Sequence, residues 1–204
     1  LWVADITYIM LNNGDVCYLH LITDAYSRMI VGWELADTLR ASITIKALEQ
    51  AISQTGGVSL EGLTHHSDRG VQYCCDDYVR MLQTHKIKIS MTEDYNPTDN
   101  AIAERANGVI KTETVYSRKT FNSLEHARNV IGRFIHFYNY RRPHMSIGYK
   151  IPAVVHTETG PQKKMWKKKK YPKKAYNNGN NEISLPCRTT GADDGCNHHT
   201  VYSI

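Results

Sequence analysis

Long apolar runs are missing from this 204-residue chain. No stretch approaches the roughly 20 consecutive apolar residues that a bilayer-spanning helix needs, which excludes that reading and any membrane partner of that kind. The first residues also lack the basic-then-apolar order of a secretory signal. Cysteine is sparse: Cys17, Cys74, Cys75, Cys187 and Cys196 form an odd, scattered set, so a disulfide framework is not expected. The compartment expected from these absences is the cytoplasm. No internal repeat is found, and no initiating methionine precedes Leu1, which suggests a fragment or a processed piece.

An excess of positive charge is missing too, from most of the chain. The net charge is +5, yet residues 1–160 carry a net −1 and residues 161–204 a net +6. A tail of that kind favours a polyanion through counterion release, although a solvated tail with no partner has the same composition. What is present is an ordinary globular core: 41% hydrophobic and 22% charged residues suffice for one α/β domain with an appendage.

Three runs rich in Val, Ile, Tyr and Trp come first, Leu1–Leu11, Val16–Asp24 and Arg28–Leu35. Asn12-Asn13-Gly14-Asp15 has hairpin chemistry, and Ala25-Tyr26-Ser27 makes a tight second connection, so an antiparallel meander is predicted. Ala41–Ser53 places Ile43, Ala47, Leu48, Ala51 and Ile52 on one helical stripe, stopped by Gly56-Gly57. A short strand over Leu60–His66, a helix from Val71 to about His85 and a strand over Ile87–Met91 follow. Two more helices run from Asn100 to about Tyr116 and from Ser123 to about Tyr140, the second entered through a Ser123 capping box with His126 in the place of Glu. Helices between the later strands imply crossovers and a mixed sheet covered on both faces.

Three carboxylates stand where folding does not ask for them. Asp5 interrupts the apolar strand LWVADITYIM, where an ionised group without compensation costs several kcal/mol, in round terms. Asp68 lies in HHSDRG where the fourth strand ends, and Glu104 near the start of the helix in NPTDNAIAERANGVIKTE. If the first and fourth strands are neighbours, Asp5 and Asp68 project side by side, and a helix start beside them brings in Glu104. Such a cluster is tolerable with Mg²⁺ or Mn²⁺ bound, and two such ions can serve phosphodiester chemistry. Taken singly each acid has a structural explanation: an arginine partner for Asp5, a turn or cap for Asp68, favourable placement near a helix N-terminus for Glu104.

WVADITYI, YLHLITDAYSRMIVGWEL, HHSDRGVQY, NPTDNAIAERANGVIKTE and FIHFYNYRRPHMSIGYKIP, in that order, resemble the integrase catalytic core of bacterial insertion-sequence transposases, a family similar to retroviral integrases. Thirty-five residues separate Asp68 from Glu104, as the family pattern requires, and Lys111 follows Glu104 by two helical turns. The resemblance runs from Leu1 to about Tyr171 and implies an α/β, ribonuclease-H-like core with a mixed five-stranded sheet. It implies that Asp5, Asp68 and Glu104 are the catalytic and metal-binding triad, holding two Mg²⁺ or Mn²⁺ ions for DNA cleavage and strand transfer without a covalent enzyme intermediate. It further implies a homo-oligomer on DNA, acting on transposon ends and target DNA, in a bacterial cytoplasm and with no small-molecule cofactor. The different-class alternative is a truncated, inactive DNA-binding remnant, since the helix-turn-helix region of relatives is not seen ahead of the core.

Other residues divide between DNA and structure. Lys111 and Asn107 could reach DNA from the Glu104 helix. In YNYRRPH, Arg141, Arg142 and His144 could clamp phosphates, or the arginines could simply oppose a helix C-terminus. Lys167 and Lys168 belong to the Lys163–Lys174 cluster, interleaved with Trp166 and Tyr171, which would hold DNA through phosphates without reading bases. Asp24 reads as a turn-bonding side chain. His65 and His66 either line the site or stand idle, and Asn100 reads as a helix cap. Gly108, at about 1 kcal/mol against Ala, needs a close neighbour or mere tolerance. Cys187, Cys196, His198 and His199 have zinc-ligand chemistry but poor spacing. The expected organisation is a core over 1–152, a basic extension over 153–174 and a low-complexity, disordered tail over 175–204.

Overall fold

The Asn12–Asp15 turn closes as predicted: Leu11 N–H donates to Asp15 O at 2.8 Å, and Gly14 takes a φ of 88°, which its lack of a Cβ permits. It joins β1 (Trp2–Met10) to β2 (Val16–Asp24) in continuous antiparallel register from Trp2↔Asp24 to Met10↔Val16. In this computed structural model, residues 1–92, 100–115 and 121–162 are described. β3 (Ile30–Ala36) pairs antiparallel with β2, and β4 (Thr64–Ser67) and β5 (Lys88–Met91) add in parallel beyond β1. The sheet order β3-β2-β1-β4-β5 is the mixed five-stranded arrangement expected. β1 lies at its centre.

Alternation along β1 sends its side chains to two separate cores. Trp2 and Ala4 pack with α1 (Ala41–Ser53) and with α3 (Asp76–Thr84), whereas Ile9 packs with α4 (Ala101–Ile110) and α5 (Leu124–Tyr140). Helices thus cover both faces. α1 has the predicted bounds, with Ala47, Leu48 and Ala51 buried. It lies so close to β3 that a Cβ on Gly32 would sit 2.1 Å from Ala47 O.

Departures from the sequence reading have local causes. The helix expected from Val71 to His85 is two, α2 (Val71–Cys74) and α3, because Cys75 is extended at φ −71°, ψ 146° and Asp76 and Asp77 restart a helix whose N-terminus favours them. The break lets Tyr73 and Tyr78 meet edge to face at 5.6 Å in the core. β4 starts at Thr64 instead of Leu60, since Leu63 N–H closes a turn on Leu60 O around Gly62 at φ 88°. α4 ends at Ile110 in a π turn, Lys111–Val115. Ser123 Oγ caps α5 by accepting from His126 N–H at 3.1 Å, while the His126 ring accepts from Asn122 N–H instead of completing the box on Ser123.

Residues past 152 pack on the core. α6 (Pro152–His156) buries Val155, Tyr26 O–H donates to Gly160 O at 2.8 Å, and Gln162 Nε2 donates to the Tyr26 hydroxyl at 2.7 Å. The extension expected from 153 therefore begins as part of the domain, anchored by polar contacts that sequence spacing does not reveal. Lys167, Lys168 and the Cys187, Cys196, His198 and His199 group lie outside the described residues. Among the described residues no helix is long and apolar enough to cross a membrane.

Candidate active site

β1 and β4 pair in parallel with Trp2↔His65 and Val3↔His66. Asp68 directly follows β4, two residues past the paired His66, so the parallel pairing brings it to the same end of the sheet as Asp5, whose carboxyl feels its charge. α4 supplies the third group. Its buried stripe includes Ala103, Ala106, Asn107 and Ile110, and Asn107 Nδ2 donates to Asp5 Oδ2 at 2.6 Å. Glu104 precedes Asn107 by about one helical turn and is exposed, so the helix contact that grips Asp5 also brings Glu104 to this end of the sheet.

The electrostatics agree with that placement. Burial pushes the Asp5 carboxyl up to about 6; bonds from Asn107 and from Ile6 N–H oppose the rise, and the charges of Asp68 and Glu104 add to it. A desolvated carboxylate repelled by two neighbouring acids is a setting a divalent cation relieves. Three carboxylates without a soft ligand suit Mg²⁺ or Mn²⁺. Their side chains are not drawn together into a ligand cage: among the described residues no three His, Cys, Asp or Glu groups are gathered for a metal ion. Asp68 Oδ1 accepts from Gly70 N–H at 2.9 Å, the turn role foreseen for it, while Asp68 and Glu104 stand in solvent where rotamer changes are unhindered by packing.

The remaining candidates fall into distinct places. Asn107, expected to reach DNA, is 5% exposed, and its amide serves Asp5 instead. Lys111 is half-buried with Nζ 4.3 Å over the Tyr8 ring. Arg141 is exposed. Arg142 donates through Nε and a terminal nitrogen to Glu113, the closest contact at 2.6 Å, and stacks 5.8 Å from Tyr138. His144 turns its Nδ1 to Ser146, accepting from its N–H at 3.3 Å. His65 is buried on the opposite face, 2.9 Å from Tyr78 O–H through Nε2, and burial first, then the His66 charge, lowers it to about 4. His66 is on the α4 side, with Nδ1 2.9 Å from Ser90 Oγ. Asn100 stands at the N-cap position of α4, as read, but its side chain makes no cap bond; its Nδ2 donates to Ala4 O at 2.9 Å, next to Asp5.

Asp24 is bound locally, as its turn reading required. Its Oδ2 accepts from Ser27 N–H at 3.0 Å and Ser27 Oγ at 2.6 Å, and α6 adds His156 Nδ1 at 3.2 Å. Sequence reasoning missed His156, Arg105 and Asn139. Nothing in one sequence marks them: each matters through what α4, α5 or α6 brings beside it.

Two family models, both described as Integrase core domain, match residues 1–97 and 85–152. A putative transposase for insertion sequence element IS986/IS6110 from Mycobacterium tuberculosis is 37% identical over 157 residues, 76% of this chain and 56% of that protein. The transposase for insertion sequence element IS629 from Shigella sonnei is 32% identical over 153 residues, covering 75% of this chain and 50% of its own length. The chain thus spans about half the length of these curated relatives. The HTLV-2 integrase catalytic core domain, solved in complex with magnesium in a trimeric form, has a TM-score of 0.59 and 22% identity, covering 76% of this chain and 94% of that one. That likeness gives the fold, a ribonuclease-H-like mixed sheet, and the tiled family matches give the lineage: the chain belongs to the integrase core domain family.

Proposed function

We propose that the chain is the catalytic core of an insertion-sequence transposase, cutting DNA and transferring the freed strand with divalent metal. The observation that carries this reading is the buried Asp5 carboxyl, bonded by Asn107 one turn from Glu104 and within electrostatic reach of both Asp68 and Glu104. Asp5, Asp68 and Glu104 would hold the metal, two ions in the full site. Metal held there would supply activation of water or of a 3′-hydroxyl and stabilisation of the departing oxygen of a phosphodiester.

The chain's own residues have separable tasks. Asn107 fixes one Asp5 oxygen through its amide hydrogen and so orients the other. Lys111, two turns along from Glu104 and lying over Tyr8, offers a cation for a backbone phosphate. Arg141, exposed at the end of α5, and the lysines at 167 and 168 supply further phosphate contacts. Arg142 and His144 contribute on the other side of α4. Association into an oligomer on transposon ends and target DNA belongs to this same reading.

Incubation with a pre-nicked duplex and Mn²⁺ tests it. Strand joining by the unaltered chain, lost in both Asp68→Asn and Glu104→Gln with DNA retention unchanged, is the expected result. Equal DNA retention with no product from any version would instead support an inactive DNA-binding remnant.

A further inference from the structure

On the side of α4 away from Asp5, a cavity of about 550 Å³ opens between α4, the end of α5 and the β2–β3 turn. Its apolar lining includes Ile102, Val109, Tyr138, Met145 and Tyr149. Three guanidinium residues, Arg28, Arg105 and Arg142, share it, and no carboxylate does among the described lining residues. Two of the three are held in place. Arg28, at a φ of 68°, donates through Nε to Ser146 Oγ at 3.1 Å, and Arg142 is gripped by Glu113. Asp24 also lies within electrostatic reach of Arg28. Positive charge nonetheless dominates: burial, with Arg142, Arg28 and Arg105 adding to it, lowers His144 to about 4, so it stays neutral.

The cavity adjoins a second one, about 560 Å³, whose lining includes Glu104, Gly108 and Glu113. Ala101, Arg105, Val109 and Arg142 line both. Gly108 has nothing within 4 Å of where a Cβ would stand, so the second cavity is open above it and no neighbouring backbone accounts for the glycine.

We propose that this cavity receives an unpaired nucleotide from the DNA strand whose phosphodiester lies at Glu104. The inference rests on the reading of the acids as a strand-transfer site. A nucleotide matches both halves of the lining: its phosphate pairs with planar guanidiniums, and its base offers a π face to Tyr138 and Tyr149. A free phosphate would leave the apolar half without a partner. A paired base cannot enter, because it is stacked inside the duplex, so occupancy requires a frayed or extruded end.

The test uses the full chain carrying Glu104→Gln, without metal, so that no chemistry is needed. A duplex ending in two unpaired 4-thiothymidines is compared with its fully paired counterpart under near-ultraviolet light, and cross-linked peptides are mapped. Cross-links within 101–109 or 138–149, at least about five-fold stronger for the unpaired end, are expected, the lower range for one base–aromatic stack. Met145→Trp, which fills the cavity and leaves every charge in place, and Arg28→Gln should each cut the yield by about five-fold. Circular dichroism establishes that each is folded, and either folded variant alone decides. Cross-links elsewhere, equal yields from both duplexes, or displacement by polyglutamate as effective as by oligonucleotide would overturn the inference, the last in favour of an acidic peptide. Because cross-linking needs no catalysis, joining without these cross-links overturns only the nucleotide pocket, and cross-links without joining by the unaltered chain overturn only the catalytic reading.

Discussion

Asn107 Nδ2 stands 2.6 Å from Asp5 Oδ2, joining the first exposed turns of α4 to the centre of the sheet through a buried amide. A carboxylate accepting such a bond has one oxygen fixed and one to present. Replacing Asn107 by Ala removes the donor while leaving all three acids, so strand joining should fall by about ten- to a hundred-fold, the usual range for a residue that orients a ligand. Rates for Asn107→Ala and the unaltered chain at saturating Mn²⁺ check this; equal rates would mean that Asp5 needs no such support.

Asn139 performs a comparable task on the far side of the domain. Its Oδ1 accepts from Ile30 N–H and its Nδ2 donates to Ile30 O, both at 2.9 Å, pinning the end of α5 to the start of β3. Asn139→Ala leaves a buried N–H and C=O without partners, at a cost of about 3 kcal/mol. Urea unfolding should register that loss as a lower midpoint with an unchanged slope.

Tight helix-to-sheet contact makes Gly32 irreplaceable. With Ala47 O 2.1 Å from any added Cβ, the clash is with backbone, and α1 as a whole must move to relieve it. Gly32→Ala is expected to destabilise by about 2 kcal/mol or more. Gly108→Ala, with open space around its Cβ, should raise stability by up to about 1 kcal/mol through helix propensity. Thermal unfolding of the two variants should therefore move in opposite directions.

The Asp24 cluster gives a pH signature. Burial alone would raise this carboxyl, but bonds from His156 and Ser27 outweigh it and hold Asp24 at about 2. A carboxyl depressed on folding stabilises above its unfolded value near 3.9, in round terms, and the contribution disappears as pH falls through the folded value. The stability gap between the unaltered chain and Asp24→Asn should be about 2 to 3 kcal/mol at neutral pH and close as pH drops from roughly 4 towards 2. A gap that persists at pH 2 would assign the effect to packing.

Much of the fold was legible because its signals are local. Gly14 and the polar turn around it define the hairpin, and the Ala47, Leu48, Ala51 stripe gives α1 its bounds. The break at Cys75 was not legible, since no glycine or proline marks it and the reason is tertiary: Tyr73 and Tyr78 must both face the core. The same holds at the site. Asp5 announces itself as a charge in an apolar strand, whereas Asn107 looks like any polar helix residue until α4 is laid on the sheet. His65 and His66 are adjacent in sequence, yet strand alternation sends one into the core beside Tyr78 and the other to the α4 side.

If Asp5, Asp68 and Glu104 share bound metal, the chain itself records it. Fe²⁺ placed in a Mg²⁺ site and given peroxide and ascorbate cleaves nearby backbone, and the cut positions are read by mass spectrometry. Cuts beside all three positions, suppressed together by excess Mg²⁺ and by Asp68→Asn, are expected. Cuts beside only one acid, or cuts at positions 5 and 104 that persist unchanged in Asp68→Asn, would contradict a common site.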